Sequence, residues 1–363
     1  MAFFDVFNGD ADGICALHQV RLYCPRDAVL VTGAKRAIAL LKNVEARAGD
    51  SVTVLDVCVD ENRSALLSLL DAGVRVDYVD HHASQALPDH PLLHATINTD
   101  PAVCTAVLVD QQLGGRYRRW AIVAAYGDNL PNTARQLAHS LRLPTLERHA
   151  LRQLGKLLNY NAYGDSVDEL IIHPAELYRR LHRHLDPLRF ISDEPLLKTL
   201  AATLESDLRQ ALFISPERVS PCGSMTYLPD AAWSRRVSGT LANYLARDEP
   251  TFAHAVLLPT ADKAWRVSVR APMQSPYGAD QLCRQFAGGG GRPAAAGIDA
   301  LPAAERSIFI EAFRQVFAGG RSVPQDLVTQ TRSIRQACAL SSIEATVPLY
   351  EAHQNAGDRE ADD

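Results

Sequence analysis

Asp10 and Asp12 in Asn8-Gly9-Asp10-Ala11-Asp12-Gly13, Asp56 after Val54-Leu55, and Asp80-His81-His82 after Val79 put carboxylates and imidazoles at the ends of short apolar runs. Carboxylate oxygen with imidazole nitrogen and no thiolate suits Mn²⁺, Mg²⁺ or Fe²⁺ and suits a structural zinc poorly. Gathered without cations, Asp10, Asp12, Asp56 and Asp80 would repel and raise one another's pKa. Two divalent ions roughly 3.5–4 Å apart would relieve that repulsion, share a carboxylate, activate a water and clamp the oxygens of a phosphoryl group.

The elements that must position these groups are legible as alternating patterns. Strand-like Phe3–Phe7, Val29–Val31, Val52–Leu55 and Val74–Val79 alternate with helical spacing at Ile14–Leu22 and Asn62–Leu70, which predicts a doubly wound, mainly parallel α/β sheet. In such a sheet, groups just beyond the carboxyl ends of the strands converge on one crevice. Asp100-Pro101 begins a further helix, whose N-terminal amides and Thr105 hydroxyl could hold an anion; a plain cap at Asp100 is the competing reading. From Thr133 to about Leu185 the pattern is mainly helical. Within it, Leu158–Gly164 could stack a nucleobase or form a capped turn whose tyrosines pack between helices. After Asp193-Glu194-Pro195 come a helix Leu196–Leu212, strands Ala253–Leu258 and Arg266–Val269, and helical spacing at Ala242–Leu245 and Ile308–Phe317.

These motifs resemble those of the DHH phosphoesterases that carry a C-terminal DHHA1 substrate domain. Asp80-His81-His82 is the name-giving triplet, joined by Asp128 in Ala124-Ala125-Tyr126-Gly127-Asp128-Asn129 and by the glycine-rich Phe286–Gly297. The resemblance implies Asp10 on one metal, Asp12 on the other, Asp56 as the bridge, and His81 with Asp128 completing the second site. It implies that Asp80 supports the ligating imidazole or lies close to the ions, and that His82 faces the substrate phosphate. Asn8 or Val6 stands where many members have an acid or histidine, and Asn8 could offer a carbonyl oxygen. Arg292 replaces a frequent histidine; with Gly289, Gly290, Gly291 and Arg270 it would grip an anion through guanidinium and backbone amides. The implied cofactors are two divalent cations, Mn²⁺ first and Mg²⁺ as the alternative.

Each motif alone has a plainer reading: Asp12 as a helix cap, the histidines as solvated loop residues, Gly288–Gly291 as a flexible linker, and Gly127-Asp128-Asn129 as a turn. Their joint occurrence, in the order of the family, favours chemistry. The implied activity is phosphodiester or terminal phosphate hydrolysis on short oligonucleotides or small nucleotides. NanoRNases, exonucleases, cyclic-dinucleotide phosphodiesterases and 3′-phosphoadenosine 5′-phosphate phosphatases all remain open, as does a noncatalytic nucleotide-binding regulator.

The chain has 363 residues, 47% hydrophobic content and a net charge of −5. That length favours two domains: a catalytic one over 1–190, with a helical connector from about 133, and a smaller α/β substrate domain over 196–325. The active site is expected in the inter-domain cleft, and the polar tail 326–363 is expected to be partly disordered. The acidic balance argues against a general grip on long duplexes. Seven cysteines without a Cys-x-x-Cys spacing read as reduced small hydrophobes. With no apolar run long enough for a membrane and no signal peptide, a cytoplasmic protein is expected, with a homodimer compatible.

Overall fold

The computed structural model describes residues 1–260 and 262–318. The predicted tail over 326–363 lies outside the described residues. The chain divides between Ala201 and Ala202 into two compact units.

The first unit opens with β1 (Phe3–Asn8), α1 (Ala11–Tyr23), β2 (Val29–Gly33), β3 (Ser51–Leu55), α2 (Val59–Asp71), β4 (Arg75–Asp80) and β5 (Leu93–Ile97). The strands form one parallel sheet in the order β2-β1-β3-β4-β5. Between β1 and β3 the strand order reverses direction, and there the connections on the two sides diverge and open a crevice at the carboxyl ends. β3 is buried along its whole length and β1 nearly so, as expected of central parallel strands covered on both faces. β5 was not foreseen, because Leu93-His94-Ala95-Thr96-Ile97 is a half-exposed edge strand without a continuous apolar run.

Alternation along β1 divides its side chains between two cores. Phe4 and Val6 join Val52, Val54, Leu66, Leu70 and Tyr78 on one face, while Phe7 joins Ile14, Leu17 and Leu55 on the other. The second core is completed by α3 (Thr105–Gln112), α4 (Arg118–Gly127), α5 (Pro131–Ser140), α6 (Thr145–Ala162), α7 (Pro174–Leu181) and α8 (Pro187–Asp193), which contribute Trp120, Leu151, Leu158, Leu177 and Phe190. Asp5, inside the apolar run of β1, is buried and ion-paired to Arg21 of α1, whose guanidinium also donates to Thr53 Oγ1 at 3.0 Å.

Helix α9 (Leu196–Leu212) contains the division and leads to β6 (Glu217–Ser220), β7 (Gly223–Tyr227), α10 (Ala232–Asp248), β8 (Ala253–Pro259), β9 (Ala264–Arg270), α11 (Ala279–Cys283), β10 (Gly289–Arg292), β11 (Ala295–Pro302) and α12 (Arg306–Val316). These strands form a second, mixed sheet, β10-β11-β9-β8-β7-β6, in which β7 and β8 are parallel and joined by α10. Val267, Val269 and Ile298 pack beneath Leu282, Phe286, Phe309 and Phe313. The six cysteines among the described residues are free, and no described helix is long and apolar enough to cross a membrane.

Candidate metal centre

Asp10, the residue that ends β1's approach, is the N-cap of α1; its Oδ1 accepts from the amides of Asp12 at 2.9 Å and Gly13 at 3.1 Å. The cap is therefore Asp10 and not Asp12, and that leaves Asp12 free to point elsewhere. A Cβ on Gly13 would lie 2.2 Å from the Asn8 carbonyl oxygen, so only glycine lets α1 start this close to the strand that feeds it. Asp12 crosses to α3, where its Oδ2 accepts the Thr105 amide at 2.7 Å and its Oδ1 the Ala106 amide at 2.8 Å. The anion at this helix N-terminus is thus the protein's own Asp12, and Thr105 is fully buried with its hydroxyl 3.4 Å from Asp56 Oδ1. A positive helix end holding a carboxylate fixes the carboxylate's orientation and stabilises its charge.

Asp56 follows β3 with φ of 60°, a left-handed backbone uncommon outside glycine, and its amide donates to the Val79 carbonyl at 3.1 Å. Asn129, next to Asp128, has φ of 59°. Such strained positions concentrate at functional sites, where the surrounding structure holds them. Asp128 reaches the cluster through a close helix crossing: a Cβ on Gly127 would lie 2.4 Å from Ala11 Cβ, and one on Gly155 would lie 2.2 Å from the Val123 carbonyl oxygen.

His81 Nε2 lies 3.4 Å from Asp56 Oδ1 and 3.9 Å from Asp12 Oδ2. His82 Nδ1 lies 2.7 Å from Asp80 Oδ1 and 3.9 Å from Asp56 Oδ1. The imidazole held by Asp80 is therefore that of His82, not the His81 ring to which the family pattern assigned the ligand role. Asp56, His81 and His82 present donor atoms all within 4.8 Å of one another. Asn8 uses its Oδ1 to accept the Asp10 amide at 3.2 Å and its Nδ2 to donate to the Lys35 carbonyl at 3.3 Å. Its side-chain amide is thus a brace for the loop.

Lys35, just past β2, is a site residue that sequence reasoning missed. Its Nζ donates to Asp10 Oδ2 at 2.5 Å and stands 3.7 Å from Asp128 Oδ1. The signal that could have found it is positional: a lysine two residues after β2 lies at the same carboxyl edge as the acids.

Electrostatics sort the acids. Burial opposes ionisation of Asp10, but Lys35 and the Gly13 amide more than offset it and hold its pKa at about 2. Burial pushes Asp56 well above the carboxylate range, and the charges of Asp12, Asp10, Asp80 and Asp128 push it further. Asp128 is also raised by burial, with Lys35 opposing the rise and Asp12 and Asp10 adding to it. Burial would lower His82, yet its hydrogen bond to Asp80 and the charge of that acid raise it. Among the described residues, Asp80 Oδ2 is buried without a hydrogen-bond partner. An orphaned carboxylate oxygen beside a repelled, buried Asp56 and two imidazoles fits a divalent cation.

In the second unit, Ala295 of β11 pairs with Arg270 of β9 on one side and with Arg292 of β10 on the other. The two arginines therefore share one face and one cross-strand row, about 9–10 Å apart at two strand spacings. Arg270 donates to Asn243 Oδ1 at 2.7 Å, whereas Arg292 is exposed. Gly289, Gly290 and Gly291 belong to the edge strand β10 and not to a linker; a Cβ on Gly290 would meet open space. The segment 158–164 spends Asn161 on both polar atoms of Ile172's backbone, at 2.9 and 3.1 Å, and buries Tyr160.

No family model and no curated protein matches the chain. Solved structures do. The chain is similar to the manganese-bound exonuclease RecJ over 88% of its own length and 91% of that chain, at 18% identity and a TM-score of 0.50. It is similar to RecJ from Thermus thermophilus, in complex with Mn²⁺, over 93% of its own length and 57% of that chain, at 17% identity and a TM-score of 0.50. The chain thus has the α/β fold of RecJ and spans little more than half of the Thermus chain.

Proposed function

We propose that this chain is a divalent-metal-dependent phosphoesterase that hydrolyses phosphodiester bonds in short single strands or small nucleotides. The observation that carries the reading is the convergence of Asp10, Asp12, Asp56, Asp80, His81, His82 and Asp128 at one edge of the parallel sheet, with Asp80 Oδ2 buried and without a hydrogen-bond partner among the described residues. The RecJ-like fold supports it, since that protein is an exonuclease and was solved with manganese.

Two divalent cations, held by Asp12, Asp56, His81 and the carboxylates of Asp10 and Asp128, would supply Lewis acidity toward phosphoryl oxygens and a water that ionises near neutral pH. The chain's own groups do the rest. The α3 amides keep Asp12 aimed, and Asp80 grips Nδ1 of His82, leaving Nε2 of that ring to bind a phosphoryl oxygen or pass a proton to the leaving oxygen. The raised pKa of His82 gives the protonated ring a larger share at neutral pH. Arg270 and Arg292 form an anion-gripping row suited to a distal phosphate or a strand terminus.

The acidic net charge of −5 favours short ligands over duplexes. Trimming from the 3′ end with release of 5′-mononucleotides is the expected course, with dinucleotides as good substrates. A chromatographic time course on end-labelled dinucleotides and short RNA and DNA strands, beside duplex DNA, cyclic dinucleotides and 3′-phosphoadenosine 5′-phosphate, ranks the substrates. Internal duplex cleavage with short strands untouched would overturn the proposal. Arg292→Ala is expected to raise KM with a smaller change in kcat, and Arg292→Lys to recover only part of the loss, because a lysine cannot make two parallel hydrogen bonds to one anion. Wild-type KM in both variants would remove Arg292 from substrate binding.

A further inference from the structure

The acidic cluster has two chemically unequal halves. At one, the Lys35 ammonium already stands against Asp10 Oδ2 at 2.5 Å and near Asp128 Oδ1 at 3.7 Å. Asn159 Oδ1 lies 3.5 Å from the same nitrogen, and the Tyr163 ring lies beneath it with its centroid at 5.7 Å. The lysine is also pinned by its backbone, since its amide donates to the Ala162 carbonyl at 2.9 Å and its carbonyl accepts from Asn8 Nδ2 at 3.3 Å. At the other half, Asp56, His81 and His82 face one another and, among the described residues, pair with no lysine or arginine, and Asp80 Oδ2 has no hydrogen-bond partner there.

From this we propose that Lys35 is a built-in competitor for one metal position, so that the centre loads its two divalent ions in sequence and with unequal affinity. The inference rests on the divalent-metal reading of the centre and goes beyond it by assigning Lys35 a role. An ion entering at Asp12, Asp56 and His81 displaces at most a proton. An ion entering at Asp10 and Asp128 must first pull a cation out of a charge-assisted hydrogen bond, and no acid compensates for the loss, because Asn8 is neutral and both ends of its amide are engaged. Losing one such bond corresponds to roughly a 10- to 100-fold weaker second association. Lys35 thereby acts as a positioning residue that makes the complete centre form only at high metal concentration, or when a substrate phosphate draws the ammonium away from Asp10.

Calorimetric titration of metal-stripped protein with Mn²⁺, with electron paramagnetic resonance on the same samples, tests this. Wild type should bind one ion tightly, with the six-line spectrum of an isolated Mn²⁺, and a second ion much more weakly. Lys35→Met keeps the aliphatic stem and should tighten the second association roughly tenfold or more, giving an exchange-coupled spectrum at two equivalents; Lys35→Gln should do the same. Lys35→Arg, which keeps the cation, should preserve the inequality. Two equal sites in wild type, or the same isotherm for wild type and Lys35→Met, would overturn the role of Lys35 while leaving the metal centre standing. Absence of Mn²⁺ binding in all variants would overturn the metal reading and, with it, this inference.

Discussion

Asp56→Ala is expected to lower turnover at saturating Mn²⁺ by at least about 10³-fold, the scale on which loss of a central catalytic group is felt. Asp56 Oδ1 lies within 3.9 Å of both His81 Nε2 and His82 Nδ1, so one substitution removes the oxygen around which the donor set is organised. Stability should move little. The variant places alanine at φ of 60°, which costs about 1 kcal/mol or somewhat more, but it also removes a buried carboxylate that Asp12, Asp10, Asp80 and Asp128 repel. Asp56→Asn, whose side chain tolerates this backbone region better, separates the two effects: it should be nearly as inactive and melt at or above the metal-free wild type. Steady-state kinetics with thermal melts of the metal-free proteins checks both statements, and wild-type turnover in either variant would remove Asp56 from the centre.

Arg21→Met is expected to destabilise the first unit by about 3–5 kcal/mol, since it strands Asp5 as an unpaired charge inside the central strand. Both partners are buried, and the Arg21 guanidinium donates to both carboxylate oxygens of Asp5. Against a typical total of about 5–15 kcal/mol, that loss moves the urea midpoint far. Replacing both residues, Asp5→Val with Arg21→Met, should recover most of it, because apolar side chains fill the site without a stranded charge. A double variant as unstable as the single one would show that packing, and not the ion pair, sets the cost.

How far the sequence reached depends on whether a feature leaves a local trace. The acids at the ends of β1, β3 and β4 were legible because an apolar run followed by aspartate marks a buried strand and its carboxyl end at once. The helix Leu196–Leu212 was legible from its apolar spacing, and its bounds agree. Features made by tertiary contact left no such trace. Lys35 became part of the centre only because β2 is parallel to β1 and ends at the same edge. The N-terminus of α3 looked open to a substrate anion, but Asp12, far away in sequence, takes it. Asp80 and His82 pair across one intervening residue, a choice of ring that spacing cannot decide. The glycine run reads as a linker by composition and becomes an edge strand because β11 offers it a pairing partner.

The central claim, that a divalent cation bound by this carboxylate and imidazole cluster hydrolyses a phosphodiester, meets its most direct test in one assay. Metal-stripped wild-type protein is incubated with a linear dinucleotide that lacks a 5′-phosphate, with and without Mn²⁺, and the products are resolved by chromatography. The account predicts no products in chelator, and a 5′-mononucleotide with its nucleoside partner once Mn²⁺ is added. An intact dinucleotide in the presence of Mn²⁺ at concentrations that saturate the protein, or equal hydrolysis with and without the metal, would contradict it.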